Sequence, residues 1–329
     1  MSLLALVAVG IGVDQRERDR GAAPVTIAFA GDMHTEGVLA ERLARDPEGF
    51  VGPFAEVLGD ADLAVGNLEA AVTERGRPEP GKLYTFRSPP RALGALQAGG
   101  FDVVSMANNH ALDFGPEGFA DTLAAKRERG DLVIGVGADE DEAYAPFSTE
   151  VRGQRIAVIA ATDEIDAELL DTWTATPDHG GVASARRLDR LVAEVEAAQA
   201  SHDTVVVYLH WGLQTETCPS RRQQELAEEL SDAGADVIVG THAHRLQGGG
   251  SLGGAFVHYG LGNFLFGAGS EESSRTGVLT VAVTDGEVMD HTWTPGHITD
   301  SVPEVLTGPD AARARSTWED LRGCAGLTP

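Results

Sequence analysis

From Pro24 onward the chain alternates short apolar runs with stretches whose apolar residues recur at helical spacing. This strand-then-helix order confines it to a layered α/β fold. Residues 25–31, 62–66, 102–106, 132–136, 155–160, 204–209, 236–240 and 255–259 read as strands, and 91–98, 116–129, 188–200 and 221–233 as helices. Pro116 stands where a first helical turn accepts proline. After Gly254 the pattern changes: "GVLTVAVTDGEVMDHTWT" alternates around an Asp-Gly pair, as a β-hairpin does. A short helix over 310–321 is expected near the C-terminus.

The 329 residues suffice for one large α/β domain, expected over 24–300, with 301–329 as a tail. Residues 1–23 are expected to be the remnant of a secretion signal or membrane anchor followed by a linker. Leu3 to Val13 is apolar but too short to span a bilayer, and no basic stretch precedes it. The expected location is therefore extracytoplasmic, secreted or membrane-tethered. With 25 basic against 51 acidic residues, the net charge is −26. Nucleic acid is excluded as the main partner, since phosphate backbones are held by Lys and Arg stripes. Cys218 and Cys324 form neither a CxxC metal site nor a disulfide framework. Unpaired thiols are the default expectation, with one long-range bridge as the alternative.

Most informative is what stands where the strands stop. "TIAFAGDMH" ends in Asp32 and His34, "ADLAVGNLE" in Asn67 and Glu69, and "FDVVSMANNHALD" in Asn108, Asn109, His110 and Asp113. "TVVVYLHWG" ends in His210, and "ADVIVGTHAH" in His242 and His244. Ligands of α/β sheets collect at the carboxyl ends of strands. Alternate residues of an extended segment point the same way, so His242 and His244 suggest a metal site, a phosphate site or a polar rim. Imidazoles, carboxylates and an amide oxygen together suit Mn²⁺, Fe²⁺ or Zn²⁺. A pair of such ions sharing a carboxylate would sit ~3.5–4 Å apart and activate water.

The motifs "AGDMH", "GNLEAAVT", "TFRSPP", "DVVSMANNHALDFG", "LHWGLQTETCPSRRQQELAEELSDAGADVIVGTHAHRLQG" and "YGLGNFLF" run in order from about residue 27 to 266. In this the chain resembles the CapA proteins of capsule and poly-γ-glutamate synthesis, within the calcineurin-like metallophosphatase superfamily. The resemblance implies a four-layer α/β/β/α sandwich of the metallo-dependent phosphatase type, with two divalent metal ions at the strand ends. It assigns Asp32, His34 and His244 to one metal, Asn109, His210 and His242 to the other, and Glu69 as the bridge, where the phosphatases usually carry aspartate. His110 takes the place of the general acid. Arg87, Asn108, Asp113, Gln214 and Asn263 are candidate substrate-binding or supporting residues. Gln214 departs from a glutamate usual in the family, and Ala243 from a frequent proline. Arg87 reads more readily as a loop cap, Trp211 as packing, and Asp113 equally as a helix cap or as the partner of His110.

Three functions follow. The first is a metal-dependent hydrolase acting on an anionic polymer, peptide or phosphoester. The second uses the same site for peptide epimerisation, metals acidifying a Cα–H next to a polarised carbonyl. The third is a non-catalytic assembly or export role beside membrane polymer-synthase subunits. The sequence holds no Walker A pattern and no G-x-G-x-x-G in a βαβ setting.

Overall fold

A computed structural model describes residues Ala23–Pro329. The segment expected to be a signal or anchor lies outside the described residues. Among the described residues no helix is long and apolar enough to cross a membrane.

Two large sheets lie face to face. Along the first run Val302–Val305, Glu287–Thr299, Arg275–Thr284, Val25–Met33, Leu63–Leu68, Val103–Ser105 and Val133–Ile134, with Asn263–Leu265 added in parallel to the end of Val25–Met33. The second orders Gly249–Leu252, Ala255–His258, Val237–His242, Thr204–Trp211, Gln154–Thr162 and Phe147–Val151. The strands carrying Asp32 and Asn67 run parallel to each other in the first sheet, and those carrying His210 and His242 in the second, so within each sheet their carboxyl ends share one edge.

Period-two alternation builds the layers. Val25, Ile27 and Phe29 face the second sheet and pack with Val158, Val206, Tyr208 and Val239. Ala28 and Ala30, one residue out of phase, face the opposite way, toward Leu39, Phe54, Leu96 and Phe119 of the first helical layer. Ala157, Ile159, Val205 and Val207 turn toward Leu191, Val195, Leu226 and Leu230 of helices Leu188–Gln199 and Arg221–Asp232. Three cores thus separate four layers, α/β/β/α. Strands buried on both faces explain why their sequences read as continuous apolar runs.

Most expected strands are found, but several extend two residues further at their carboxyl ends, to Met33, Leu68, Thr162, Trp211 and His242. The expected strand over 132–136 is broken at Gly135 into Val133–Ile134 and Val136–Gly137. The Asp285-Gly286 hairpin forms as expected, both residues having positive φ (50° and 83°), as the favoured tight turn requires.

Two glycines permit close backbone approach at the functional edge. A Cβ on Gly31 would lie 2.0 Å from the Gly262 carbonyl oxygen, and one on Gly240 would lie 1.9 Å from Trp211 Nε1. Trp211 is packing, as expected, its indole donating to the Tyr259 carbonyl (2.8 Å).

Residues 301–329 are stitched into the body. Val302–Val305 completes the first sheet, helix Gly308–Asp320 buries Trp318 among residues of the core between the sheets, and Thr328 bridges to Ser251. The default expectation of unpaired thiols is corrected: Cys218 and Cys324 form a disulfide, their Cα atoms 5.6 Å apart across 106 residues of sequence. Sequence separation conceals the pairing because only the return of the C-terminal helix over the hairpin brings Cys324 beside the loop after Trp211. Closing a loop this long restricts the unfolded chain. Cys324→Ser should lower stability by about 2–4 kcal/mol. In thermal unfolding, reductant should bring the wild type down to the variant and leave the variant unmoved.

His258 lies in an aromatic cluster with Trp293 and Trp318, ring centroids 5.8 and 5.7 Å away, the two indoles 5.5 Å from each other. Trp318 Nε1 donates to its Nε2 (2.8 Å), so the neutral ring carries its proton on Nδ1. Burial, with His291 nearby, pushes its pKa down to about 3. The unfolded chain then binds a proton below about pH 6.5 that the folded chain refuses, so stability is full above that pH and falls as pH drops toward 3. The slope from this group is about 1.4 kcal/mol per pH unit. Denaturant titrations between pH 6.5 and 4 should show His258→Phe with a shallower loss than wild type, although it starts less stable because Trp318 loses its acceptor.

Candidate metal centre

Asp32 is the penultimate residue of the first strand and lies at a register shift, its Cα pairing across to Asn67 on one side and Asn263 on the other. Its carboxylate is fully buried, accepting from Asn67 Nδ2 (2.8 Å) and from the His242 amide (3.0 Å). That second bond spans the two sheets and ties their carboxyl ends together. Glu69, also fully buried, follows the second strand. Neither of its carboxylate oxygens has a hydrogen-bond partner. A carboxylate buried in that state costs several kcal/mol unless cations compensate it.

The candidate ligands converge on Glu69 from two sides. Ligand atoms of Glu69, His210 and His242 lie within 4.8 Å of one another, and those of Asp32, Glu69 and His244 do the same. His210 Nε2 lies 3.5 Å from Glu69 Oε1, 3.0 Å from His242 Nδ1 and 2.8 Å from Asn109 Oδ1. Its other nitrogen contacts Thr241 Oγ1 (3.0 Å) and Asn67 (3.3 Å), which leaves Nε2 directed at the cluster. Opposite, His244 Nδ1 is 2.8 Å from Asn263 Oδ1, and Asn263 is itself held through Nδ2 by the Ser273 carbonyl (3.1 Å). His244 Nε2 consequently faces Glu69 Oε1 at 4.0 Å.

His242 and His244 do not converge by the extended alternation expected. Both adopt left-handed backbone (φ 84° and 51°), a conformation disfavoured for residues with a Cβ and concentrated at functional sites. The chain turns within His242–His244, which places one imidazole in each of the two triads that share Glu69.

His34 stands beside the two compact triads, outside both. Its ring stacks on Phe86 (5.0 Å) and meets the edge of Phe266 (4.3 Å), while Nδ1 accepts from the Glu36 amide (2.9 Å). Burial lowers its pKa to about 4 against the pull of Glu69, so it is neutral at pH 7, as a metal-binding imidazole must be. Burial, then His210, also pushes His242 well below the usual range. Burial and the neighbouring Glu69 raise Asp32. For Glu69 burial acts upward, but His244, His210 and His110 outweigh it and hold the carboxyl well below its usual range. His210 is raised despite burial, because Glu69 and Asp32 favour its charged form. Two buried carboxylates and these imidazoles therefore polarise one another around a point that suits a cation.

His110 lines an adjoining cleft of about 450 Å³ with Asn109, Gln214, Tyr84 and Lys82. Its Nδ1 is bonded to Asp113 Oδ2, and its Nε2 lies 3.7 Å from Glu69 Oε1. Asp113 is anchored by the Phe86 amide (2.7 Å) and by Lys82 Nζ (2.6 Å), which also donates to the Asn109 carbonyl. Of the two readings of Asp113, the geometry selects the partner of His110. Asn108 spends its amide on Asn67 and the Leu68 carbonyl and accepts from the His110 amide (3.0 Å), so it shapes the loop that presents Asn109 and His110. Arg87 packs its guanidinium over Phe114 (3.6 Å), away from the cluster. Lys82, Thr241, Phe86 and Phe266 escaped the sequence reading, which noted Asn67 at its strand end without giving it a role. Lys82 sits in a polar stretch with nothing to distinguish it, and its burial appears only when the loop folds over Trp173.

Residues 26–268 match the model of a family described as bacterial capsule synthesis protein PGA_cap. The chain belongs to that family. It is 29% identical over 305 residues to the capsule biosynthesis protein CapA of Bacillus anthracis, covering 90% of this chain and 72% of that one. It is 31% identical over 251 residues to the PGA biosynthesis protein CapA of Bacillus subtilis, covering 74% and 64%. This chain thus spans roughly two thirds to three quarters of those two relatives. Among solved structures, a hypothetical protein from Thermus thermophilus superposes with a TM-score of 0.52 at 18% identity, covering 87% of this chain and all of that one.

Elemental analysis of protein supplied with Mn²⁺ or Zn²⁺ should find close to two equivalents of bound metal. The His242→Ala, His244→Ala double variant should lose both, and Glu69→Gln should weaken both, because the two triads share that residue.

Proposed function

We propose that this CapA-like protein is a dinuclear metal-dependent hydrolase acting in capsule or poly-γ-glutamate biosynthesis on an anionic polymer, its peptide precursor or a phosphoester. The observation that carries this reading is Glu69, a buried carboxylate with both oxygens unpartnered and shared by two ligand triads. Asp32, His34 and His244 would hold one ion, Asn109, His210 and His242 the other, with Glu69 between them. When bound, such a pair supplies Lewis acidity and a water of lowered pKa.

The rest of the work belongs to the chain. His110, with Nδ1 committed to Asp113, presents Nε2 to the cleft and there holds the proton that a leaving group needs. Lys82 and the Phe86 amide fix Asp113, and through it the orientation of the imidazole. Phe86 and Phe266 pack against the ligand imidazoles and restrict water at the rim. A purely assembling role has no use for a His–Asp pair facing an open cleft, which favours the catalytic reading.

Metal-loaded protein should hydrolyse at least one member of a panel of γ-glutamyl peptides and phosphoesters. His110→Ala should lower turnover about 10²–10⁴-fold with metal content unchanged. Undiminished turnover in that variant, or none in fully loaded wild type across the panel, would overturn the proposal.

A further inference from the structure

We propose that a groove beside the metal centre binds a carboxylate of an acidic peptide chain, and that Arg245 is the residue that recognises it. This rests on the reading that the protein handles an acidic polymer, and it adds a place on the fold where that polymer is gripped away from the reacting bond.

The groove has a volume of about 410 Å³ and a floor formed by Trp293, Trp318, Leu246 and Leu306. That size and an apolar floor with a few convergent polar groups are typical of sites for small ligands or short chain segments. It is joined to the metal centre through covalent structure. Arg245 follows His244 directly and donates through Nη1 to the His244 carbonyl (3.0 Å). Thr276, another wall residue, donates to the carbonyl of Asn263, the residue that orients His244.

The charges of the wall single out one arginine. Arg275 and His297 face Glu271 at 3.7 and 3.4 Å, and Arg313 is paired with Asp310. Arg245 is half-buried and, among the described residues, forms no ion pair with any carboxylate. Its planar fork suits bidentate recognition of a carboxylate. Glu272 stands on the same wall, its carboxyl held below the usual range by its own backbone amide and by Ser270, Arg275 and Arg245. Glu271, Glu272 and Asp310 together bar a run of closely spaced anions, so the groove selects one or two carboxylates rather than a continuous polyanion track.

The test is a binding measurement on the full protein stripped of metal by a chelator, so that its readout is independent of turnover. A short γ-linked glutamyl oligomer is titrated by calorimetry and by tryptophan fluorescence, which the groove-floor residues Trp293 and Trp318 should report. Wild type should bind, with affinity falling as salt rises, and the neutral glutaminyl counterpart should bind at least tenfold more weakly. Arg245→Gln should lose tenfold or more in affinity, Arg245→Lys should lose less, and the remote Arg75→Gln should match wild type. Thermal unfolding of each variant establishes that it is folded. Equal binding by Arg245→Gln and wild type would overturn the groove assignment and leave the hydrolase reading standing. No binding by wild type would also overturn the groove, and turnover of γ-glutamyl peptides by metal-loaded wild type would then show that the hydrolase reading survives without it.

Discussion

Glu69 is the constraint around which the rest of this structure is arranged. Burying a carboxylate with neither oxygen hydrogen-bonded is among the most costly things a fold can do, and the surroundings answer it with position rather than with a direct partner. Imidazoles from two strand ends and the carboxylate of Asp32 are brought within ligand distance of it. The Asp32–His242 amide bond links the two sheets at this point, so a change of angle between them would be felt first at the cluster. Fold and site are one construction at this edge.

Local backbone choices serve that arrangement. His242 and His244 accept left-handed conformations that a structural strand end would avoid. Gly31 and Gly240 exist where a Cβ would collide with neighbouring backbone or an indole. Around the ligands runs a ring of groups that fix their orientation: Thr241 for His210, Asn263 for His244, and Asp113 with Lys82 for His110. Outer partners of this kind set which nitrogen of each imidazole faces the centre.

The membership of this chain in the PGA_cap family places it among proteins of capsule and polyglutamate synthesis, while its own surface is strongly acidic. On the proposed function, an acidic protein meeting an acidic polymer must concentrate its attraction in few places, of which the candidate metal centre would be one and the proposed Arg245 groove a second. The apolar floor beneath that arginine supplies contact that charge alone would not.

The layered α/β class, most strand positions and the candidates Asp32, His34, Glu69, Asn109, His110, His210, His242 and His244 at the strand ends were legible in the sequence, while the four-layer order came from the family resemblance. Apolar runs of strand length with polar ends are local patterns, and a doubly buried sheet leaves them intact. What only the tertiary structure decided depends on contacts between segments far apart in the chain. The sharing of Glu69 by two triads, the turn that parts His242 from His244, the burial of Lys82 against Asp113, and the Cys218–Cys324 bridge all belong to this class. So does the seat of Trp318 within the core, in a segment that reads as a tail. Each requires two or more pieces of backbone to meet at a definite angle, and a linear pattern of residue types carries no information about that angle.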